Sequence, residues 1–407
     1  MSVDDAGWSQ EGNAAGRPLR IATVITRLEG GSAVLALRGA RAVHGGDFAC
    51  TIVTGSRDRL LDAEASGLEV IVDPALSARI DPRSDLLALR RLATMFRERD
   101  FDVVHTHCAK AGTVGRLAAR RAGIPRIVHT FHGFPFHEFQ SAARRQAYVS
   151  IERRLGRITD VALCVGAGVA AEAIRRELIA PDRVRTIGVA VDGPGRIRAS
   201  MSAGTPEARQ RARAALGLPA GATVVGVVGR LTYQKAPEDF LAAMQALGRP
   251  GVIGVWVGGG ELAGRVARRV SELGVPVVLA GQRADVLDVL PAFDVFVLPS
   301  RYEGLPTAIV EAMICGIPVV ATAVNAVTDI VIPGETGLLV PPHRPELLAA
   351  AVRHLLDSPA VAARLAAAAS ARVADRYGAP ELRAALAAAY SPALAAAERS
   401  PATVDAW

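Results

Sequence analysis

The sequence predicts an α/β fold made of two domains, each built on a parallel sheet. Short apolar, β-branched runs are each followed by a turn and a helical pattern, as in the string over residues 294–320. At 407 residues with 50% apolar side chains, the chain can bury two cores of ordinary size. The polar, Gly- and Pro-containing segment over 192–207 is typical of a linker, so the domain boundary is predicted near residue 193.

The string over 294–320 predicts a strand, a tight turn, a helix and a second strand. The run Val295–Leu298 forms the buried strand, and the helix over about 307–315 ends at Gly316. The start of this helix then lies at the carboxyl edge of a parallel sheet. Unpaired N–H groups and the helix dipole favour an anion such as a phosphate at such a place.

Two glutamates flank this helix start. Glu303 lies in the turn and Glu311 lies eight residues later, inside the helix. At a rise of about 1.5 Å per residue, the two are roughly 12 Å apart along the axis. This separation lets one carboxylate reach a sugar and the other a ribose, with a diphosphate between them, because a carboxylate commonly accepts from a ribose diol. The alternative is that one of them is an ordinary solvated helix acid.

The whole string resembles the signature of the retaining glycosyltransferases of sequence family 4. That signature reads EG-x-P-x-x-x-x-EAM-x-x-G-x-PVV, and every fixed residue of it is present here. The resemblance implies the GT-B architecture, in which two Rossmann-like domains have parallel sheets facing a central cleft and a C-terminal helix crosses back to the N-terminal domain. It also implies a nucleotide-sugar donor. The residues assigned to that donor in this string are the catalytic Glu303, which holds sugar hydroxyls, then Gly304, Leu305, Pro306, Thr307 and, at the ribose, Glu311.

A second loop carries two cations, Arg230 and Lys235, between a strand over 223–228 and a helix from about Pro237. Cations beside a helix start suit a diphosphate, and a surface ion pair is the alternative. The family pattern here is Gly-Arg-Leu followed by Lys-Gly, and Ala236 replaces that last glycine. By the resemblance, Arg230 and Lys235 are catalytic and hold the diphosphate.

Two further loops are assigned to the donor. The family uses the backbone of the loop at Gly281–Arg283 to hold the base, so Arg283 is a predicted donor contact. Gly30 and Gly31 separate the first strand, over 21–25, from a helix predicted from about residue 33. A glycine pair lets a ligand approach the backbone closely, or makes a simple tight turn. The family places a similar pair facing the cleft, so both glycines are predicted donor contacts.

Five of the eight histidines lie between His105 and His137. His105 and His107 are two residues apart on a predicted strand, so they point to one face of the sheet. A metal site would need further Asp, Glu or Cys ligands at a recognisable spacing, and no such set is nearby, so no metal is predicted. The histidines fall into two groups, at 105–107 and at 129–137, and each group lies at the end of an apolar strand. Both groups are therefore expected at the carboxyl edge of the sheet, where ligands bind.

The roles of these histidines follow from the resemblance. The segment over 127–137 is similar to the His-Gly loop of the family, in the branch that elongates lipid-linked or capsular polysaccharides. His132 is therefore a predicted catalytic residue that contacts the donor sugar. His105, His107 and Lys110 are predicted to line the acceptor side, while His129 and His137 are predicted to be structural.

The charge of the chain predicts anionic partners, since the net charge is +7 and the pI is near 9.7. Arginines alternate with apolar residues over 141–157 at helical spacing. This pattern indicates a surface for anionic lipid, or else a solvated helix face. No nucleic-acid binding is predicted, because aromatic residues make up 4% of the chain and no recognised binding module is present.

The remaining patterns bear on location and domain limits. The N-terminus is polar and acidic, and no apolar run approaches the roughly 20 residues that span a bilayer. The four cysteines show no metal or redox spacing and are predicted to be free thiols. A cytoplasmic protein is expected, with the inner face of the plasma membrane as a place of peripheral contact. The predicted limits are a disordered tail over 1–17, an acceptor-side domain over 18–193, a nucleotide-sugar domain over 194–378, a crossover helix over 379–393 and a disordered tail over 394–407.

The predicted function is transfer of a sugar, with retention, from a nucleoside diphosphate sugar to a hydroxyl acceptor. By the resemblance, the donor is a UDP-sugar and the acceptor is a saccharide or lipid-linked saccharide in polysaccharide or glycolipid synthesis. No cofactor or metal is predicted, since Arg230, Lys235 and the helix start supply the positive charge. The alternative enzyme is a sugar-nucleotide 2-epimerase or hydrolase of the same architecture. A catalytically silent binding protein is a third class, against which the intact Glu303 and Glu311 argue.

Overall fold

The structure is a computed structural model that describes residues 17–28, 30–56, 67–77, 79–136, 140–188, 205–283, 285–374 and 378–390. The described chain divides into two compact units. Within the described ranges, the first unit contains residues up to 164, 170–187 and 382–390, and the second contains 165–169 and 188–381. The predicted boundary at residue 193 and most of both predicted tails lie outside the described residues.

The first unit is built on a seven-stranded parallel sheet with the strand order β3-β2-β1-β4-β5-β6-β7. The strands are β1 (Leu19–Ile25), β2 (Phe48–Thr54), β3 (Glu69–Val72), β4 (Val103–His107), β5 (Arg126–Phe131), β6 (Val161–Cys164) and β7 (Val184–Thr186). The helices of this part of the chain are α1 (Gly30–Val43), α2 (Pro82–Glu98), α3 (Ala109–Ala122), α4 (Ala142–Gly156) and α5 (Ala167–Arg175).

The second unit is built on a six-stranded parallel sheet with the order β10-β9-β8-β11-β12-β13. The strands are β8 (Thr223–Val228), β9 (Val252–Val257), β10 (Val277–Gly281), β11 (Val295–Leu298), β12 (Val319–Thr322) and β13 (Leu338–Val340). The helices are α6 (Pro206–Ala215), α7 (Pro237–Leu247), α8 (Ala263–Leu273), α9 (Val286–Val289), α10 (Thr307–Ile314), α11 (Val327–Ile330), α12 (Pro345–Asp357) and α13 (Pro359–Ala374). The prediction of two parallel α/β units is confirmed.

Each sheet reverses its strand order once, and this feature places the functional loops. The first sheet reverses between β1 and β4, and the second reverses between β8 and β11. At such a point the two following helices lie on opposite faces of the sheet, so the loops diverge and leave a crevice at the carboxyl ends of the strands. In this chain, the loops after β1, β8 and β11 carry predicted site residues, and His105 and His107 lie at the end of β4. Two predicted residues lie elsewhere, since His132 follows β5 and Arg283 follows β10.

Each unit has its own hydrophobic core. In the first, strand residues such as Val24 and Val104 pack against Leu92 and Phe96 of α2. In the second, Trp256 of β9 is 1% exposed and packs edge-on against Phe240 of α7, with 5.7 Å between ring centroids. Burial of these apolar surfaces supplies the main driving force for both sheets.

The starts of two helices in the first unit are set by local features of the sequence. The Asp81 carboxylate accepts from the Ser84 N–H at 3.3 Å and Pro82 occupies the first turn, so α2 begins at Pro82. The first helix begins at Gly30 rather than near Ala33, which makes the glycine pair part of its first turn. The segment after β12 contains the short helix α11 before β13.

The last helix, α14 (Ala379–Tyr390), joins the first unit from residue 382 onward, which confirms the predicted crossing back of the C-terminal helix. The Arg126 guanidinium donates to the Ala389 carbonyl at 2.7 Å, and the Tyr390 side chain is 1% exposed. No helix among the described residues is both long enough and apolar enough to cross a bilayer.

A buried ion pair ties α4 to α3 in the first unit. Arg116 and Glu152 are 0% and 3% exposed, and Arg116 Nη2 donates to Glu152 Oε2 at 2.7 Å. Arg116 Nε also donates to the Gly112 carbonyl at 2.8 Å. Glu152 is therefore the buried partner of a core arginine, although it lies on the arginine-rich helix.

We expect Glu152→Ala to lower the free energy of unfolding by about 3–5 kcal/mol, because it leaves the Arg116 charge buried without its partner. Urea denaturation followed by circular dichroism measures this change. Glu272→Ala, which breaks the exposed pair with Arg269 on α8, is the control and should cost less than about 1 kcal/mol. Equal losses in the two variants would contradict the assignment.

Candidate functional site

An ion pair lies at the strand-order reversal of the second sheet. Lys235, in the loop after β8, contacts Glu303, in the loop after β11, with 2.5 Å between Nζ and Oε1. The Lys235 and Glu303 side chains are 15% and 5% exposed. The structure thus brings together two residues that lie in separate sequence motifs.

Several neighbours fix the Glu303 carboxylate in place. Ser300 Oγ donates to Oε1 at 2.6 Å, and Gln234 Nε2 lies 3.3 Å from Oε2. The Glu303 backbone N–H donates to Asn325 Oδ1 at 3.0 Å. With Lys235, three side chains donate to the carboxylate, so its orientation is set by the protein.

A buried arginine joins the two loops that carry the pair. The Arg301 N–H donates to the Gln234 carbonyl at 2.8 Å, and its guanidinium donates to the Tyr233 carbonyl at 2.8 Å. The same guanidinium lies over the Tyr233 ring, 4.2 Å from the centroid. The spacing between the loops after β8 and β11 is therefore fixed by direct contacts.

The loop after β8 depends on glycines of a neighbouring loop. A Cβ at Gly258 would lie 2.1 Å from the Gly229 carbonyl oxygen, and one at Gly260 would lie 2.4 Å from that of Leu231. Both glycines also have positive φ, at 140° and 153°. Their role in the structure is to let the backbone beside Arg230 pack closely.

The residue after Lys235 has a strained backbone. Ala236 has φ of 51° and ψ of 56°, in the left-handed region that glycine adopts without a steric cost. This is the position at which the family pattern has glycine. The alanine keeps the backbone conformation that places Lys235 and starts α7, at a cost of roughly 1 kcal/mol.

The start of α10 lies directly after Glu303. No side chain among the described residues caps this helix, whose N-cap residue is Pro306. Leu305 and Pro306 are buried, and Gly304 and Thr307 are partly exposed. Uncapped first-turn N–H groups and the helix dipole together form an environment that suits an anion. Glu311 lies on the second turn of this helix and is partly exposed.

The remaining predicted donor residues of the second unit are Arg230 and Arg283. Arg230 is exposed on the loop after β8, close enough to Tyr302 to act on its pKa, which burial and then Glu303 raise. Arg283 follows β10 and pairs with Asp285, with Nη2 2.6 Å from Oδ2. The hydrogen bond to Arg283 lowers the pKa of that carboxyl.

Three histidines meet at the carboxyl edge of the first sheet. His107 Nδ1 lies 2.9 Å from His132 Nε2. His105 Nδ1 lies 2.7 Å from the Tyr390 hydroxyl, and its Nε2 lies 2.7 Å from Thr130 Oγ1. His105 and His107 share one face of the sheet, as their spacing predicts, but they are only 2% and 3% exposed. Their predicted contact with the acceptor stays a prediction.

These imidazoles are neutral at ordinary pH. Burial lowers the pKa of His105 and of His132 to about 3, and it holds the pKa of His107 well below the usual value near 6.5. His129 lies on the opposite face of β5, where its Nδ1 is 2.8 Å from Thr106 Oγ1. Burial and the nearby Arg116 hold its pKa well below the usual value too. His137 lies outside the described residues.

The other predicted residues of the first unit are placed as follows. Lys110, in the first turn of α3, contacts Asp85 of α2 in an ion pair. Gly30 and Gly31 form the first turn of α1, which follows β1 at the strand-order reversal of the first sheet. Within the described part of the chain, no group of three His, Cys, Asp or Glu side chains is arranged to hold a metal ion.

Sequence reasoning missed four residues that shape the site around Glu303. These are Gln234, Ser300, Arg301 and Asn325. Three of them lie within three residues of Lys235 or Glu303, so closeness to a predicted catalytic residue was a usable signal. Asn325 follows β12, 22 residues after Glu303, and only the packing of the sheet brings it close.

Two solved structures illustrate the similarity of the fold to known proteins. The chain superposes on HepE from Anabaena, solved with UDP and glucose, with a TM-score of 0.78, 20% identity and coverage of 91% of this chain and 98% of that one. It superposes on a sucrose-phosphate synthase from Thermosynechococcus elongatus with a TM-score of 0.79, 24% identity and coverage of 93% and 100%. The chain has the GT-B fold.

Family models match most of both units. Residues 29–192 match the model described as Glycosyltransferase Family 4, and residues 222–358 match Glycosyl transferases group 1. A D-inositol 3-phosphate glycosyltransferase from Thermobispora bispora is 33% identical over 334 residues, which are 78% of this chain and 76% of the relative. The chain therefore belongs to glycosyltransferase family 4, as its signature string predicts.

A second relative is similar over a shorter stretch. The UDP-Gal:alpha-D-GlcNAc-diphosphoundecaprenol alpha-1,3-galactosyltransferase of Escherichia coli is 32% identical over 259 residues. The matched stretch is 62% of this chain and 65% of the relative, so it spans somewhat less than two thirds of that protein.

The buried histidines predict a loss of stability in acid. In the unfolded chain they bind protons near pH 6.5, whereas in the folded chain their pKa is lower, so the stability they contribute is present above pH 6.5 and is lost as the pH falls towards the folded pKa. Each of these histidines makes the free energy of unfolding change by up to about 1.4 kcal/mol per pH unit. Urea denaturation at several pH values between about 6 and 5 should therefore give a shallower slope for His129→Leu than for the wild type. Equal slopes would contradict this account of His129.

Proposed function

We propose that the protein is a retaining glycosyltransferase that moves a sugar from a UDP-sugar to a hydroxyl acceptor. One observation carries the proposal: Lys235 and Glu303 form a fixed ion pair at the strand-order reversal of the second sheet, directly before the start of α10. A cation and a helix start suit a diphosphate, and a carboxylate beside them suits sugar hydroxyls. Membership of glycosyltransferase family 4 supports this assignment.

The proposed chemistry rests on stabilising the leaving group. The acceptor oxygen bonds to the anomeric carbon on the face from which the diphosphate departs, the bond from that carbon to the diphosphate oxygen breaks, and the leaving phosphate takes the acceptor proton. Negative charge grows on the diphosphate in this step. Lys235, Arg230 and the N–H groups at the start of α10 offset that charge in place, without reorganisation.

The two glutamates have different proposed tasks. Glu303 is held by donors from Lys235, Ser300 and Gln234. A carboxylate engaged in this way is suited to orient sugar hydroxyls and poorly suited to attack carbon, so we favour front-face transfer over a covalent intermediate. Glu311, one turn further along α10, is proposed to accept from the ribose hydroxyls.

The donor and acceptor classes are proposed from the relatives. HepE was solved with UDP and glucose, and the name of the E. coli relative specifies UDP-galactose and a diphosphoundecaprenol-linked acceptor. We therefore propose a UDP-hexose donor and a saccharide or lipid-linked saccharide acceptor, in polysaccharide or glycolipid synthesis at the cytoplasmic face of a membrane. The proposed reaction uses no cofactor and no metal. Loss of activity in EDTA, with recovery on adding a divalent ion, would contradict the metal-free proposal.

The alternative is a sugar-nucleotide 2-epimerase or hydrolase of the same architecture. Incubation with UDP-N-acetylglucosamine and no acceptor distinguishes the two enzymes. An epimerase converts the sugar at its second carbon and a hydrolase releases UDP at full speed. The proposed transferase should leave the donor mostly intact until an acceptor is added.

Lys235→Ala should lower kcat by about 100-fold or more, because one of the cations beside the leaving diphosphate is removed. UDP release from UDP-glucose and UDP-galactose, with a bacterial lipid extract as acceptor source, measures the rate. Arg249→Ala is the control, since it removes a cation from an exposed pair with Asp357. Activity of Lys235→Ala close to that of the wild type would remove Lys235 from the mechanism.

Peripheral contact with anionic lipid is the last part of the proposal. On α4, Val149 and Leu155 are buried, while Arg144, Arg153 and Arg154 are exposed. Exposed arginines near one another on a helix attract an anionic lipid surface. Ile151 on the same helix is 41% exposed and adds an apolar contact.

We expect the protein to sediment with vesicles that contain phosphatidylglycerol, and the triple change of Arg144, Arg153 and Arg154 to Ser to weaken this binding several-fold. Neutral phosphatidylcholine vesicles are the lipid control. Leu86→Ser with Leu87→Ser, on α2, is the protein control, because both leucines are 50% exposed but belong to another helix. If the α2 variant loses binding and the α4 variant does not, the contact lies on α2.

A further inference from the structure

The first unit contains a column of polar aromatic side chains that runs from the last helix to the edge of the sheet. Its members, in order, are Tyr390 of α14, His105 and His107 of β4, and His132 just after β5. The Tyr390 hydroxyl contacts His105 at 2.7 Å, and the His105 and His107 rings lie 4.1 Å apart between centroids. The His107 and His132 rings follow at 5.2 Å.

His132 is the member of the column that reaches the partly exposed edge. Within the described residues, the His132 ring makes one hydrogen bond, which joins its Nε2 to His107 Nδ1 at 2.9 Å. His107 is itself held in place by the His105 ring, which lies against it. The His105 ring is fixed in turn, because its two nitrogens contact Tyr390 and Thr130. The orientation of the His132 ring is therefore set by His107.

The contact between two neutral imidazoles also couples their tautomers. Exactly one of the two facing nitrogens can carry the proton of the hydrogen bond. The other nitrogen of His107, Nε2, is buried and has no hydrogen-bond partner within the described part of the chain. A buried N–H without an acceptor is a costlier and rarer defect than an acceptor without a donor. The proton of His107 is therefore expected on Nδ1, where it is donated to His132.

We propose that His107 is a positioning residue that holds His132 in the tautomer with its proton on Nδ1. This tautomer is the less common one for a free histidine side chain. With Nε2 occupied as an acceptor, the N–H that His132 presents is the one on Nδ1. His132 then acts as a hydrogen-bond donor of fixed direction towards an oxygen of the ligand.

The assignment gives His105 and His107 a role other than the predicted contact with an acceptor. Both are almost fully buried, and His105 contacts Tyr390 of α14. Burial also keeps the pKa of His132 near 3, so the ring stays neutral and its two nitrogens stay distinct at working pH. In its link to catalysis the inference rests on the proposed function, since His132 is expected to contact the donor sugar.

The direct test is nuclear magnetic resonance of the full chain with 15N-labelled histidine. Long-range proton–nitrogen correlations separate a protonated ring nitrogen from an unprotonated one, and His132→Gln identifies the His132 signals. We expect a protonated Nδ1 and an unprotonated Nε2 at His132 in the wild type. The opposite pattern would overturn the proposal, and would mean that water in the small cavity beside Thr23 and Tyr390 accepts the His107 proton.

Variants of His107 test the coupling. His107→Leu removes the donor, so His132 should shift to the tautomer protonated on Nε2. His107→Asn places an amide nitrogen near the position of Nδ1 and should restore the wild-type pattern. His129→Leu removes a buried histidine from the other face and should leave His132 unchanged. If His107→Leu also leaves the His132 tautomer unchanged, the positioning role is wrong, and if it does not fold, the wild type and His107→Asn still decide.

Kinetics with UDP-glucose and UDP-galactose extend the test to function. We expect kcat to fall by about tenfold in His107→Leu, the effect of one lost hydrogen bond of about 1.4 kcal/mol, with little change in KM and with recovery in His107→Asn. An inactive wild type with the expected tautomer would contradict the proposed function and leave the positioning role standing. Full activity in His107→Leu, with the tautomer changed, would overturn the link between this role and catalysis.

Discussion

The contact between Lys235 and Glu303 is the interaction on which the site of the second unit depends. It joins the loops after β8 and β11, which leave the sheet at the point where its strand order reverses. Arg301 fixes the same two loops through the carbonyls of Tyr233 and Gln234. The α/β topology supplies the crevice, and these side chains give it a defined pattern of charge. A cation, an anion and a helix start are thereby held within one small region.

The carboxyl edge of the sheet in the first unit carries neutral polar groups instead of charged ones. Its polar groups are neutral imidazoles packed in a column, and burial keeps them neutral. Charged groups suit the stabilisation of a leaving diphosphate, whereas neutral groups of fixed tautomer suit the orientation of hydroxyls. The last helix contributes to this column, since Tyr390 forms its far end.

The sequence predicted the parts of this structure that depend on local patterns. The apolar runs predicted the strands, the spacing of His105 and His107 predicted their common face, and the signature string predicted the family. It could not predict contacts that only the folded sheet creates. Asn325 reaches the Glu303 backbone across 22 residues, and Tyr390 reaches His105 across 285 residues. The left-handed backbone of Ala236 was also beyond prediction, because alanine normally avoids that conformation.

A structure of the protein with UDP bound tests the central claim most directly. The account predicts that the diphosphate lies within hydrogen-bond distance of Lys235 Nζ and of the N–H groups at the start of α10, with the ribose hydroxyls at Glu311. A diphosphate bound away from Lys235, for instance at the first turn of α1 beside Gly30 and Gly31, would contradict it.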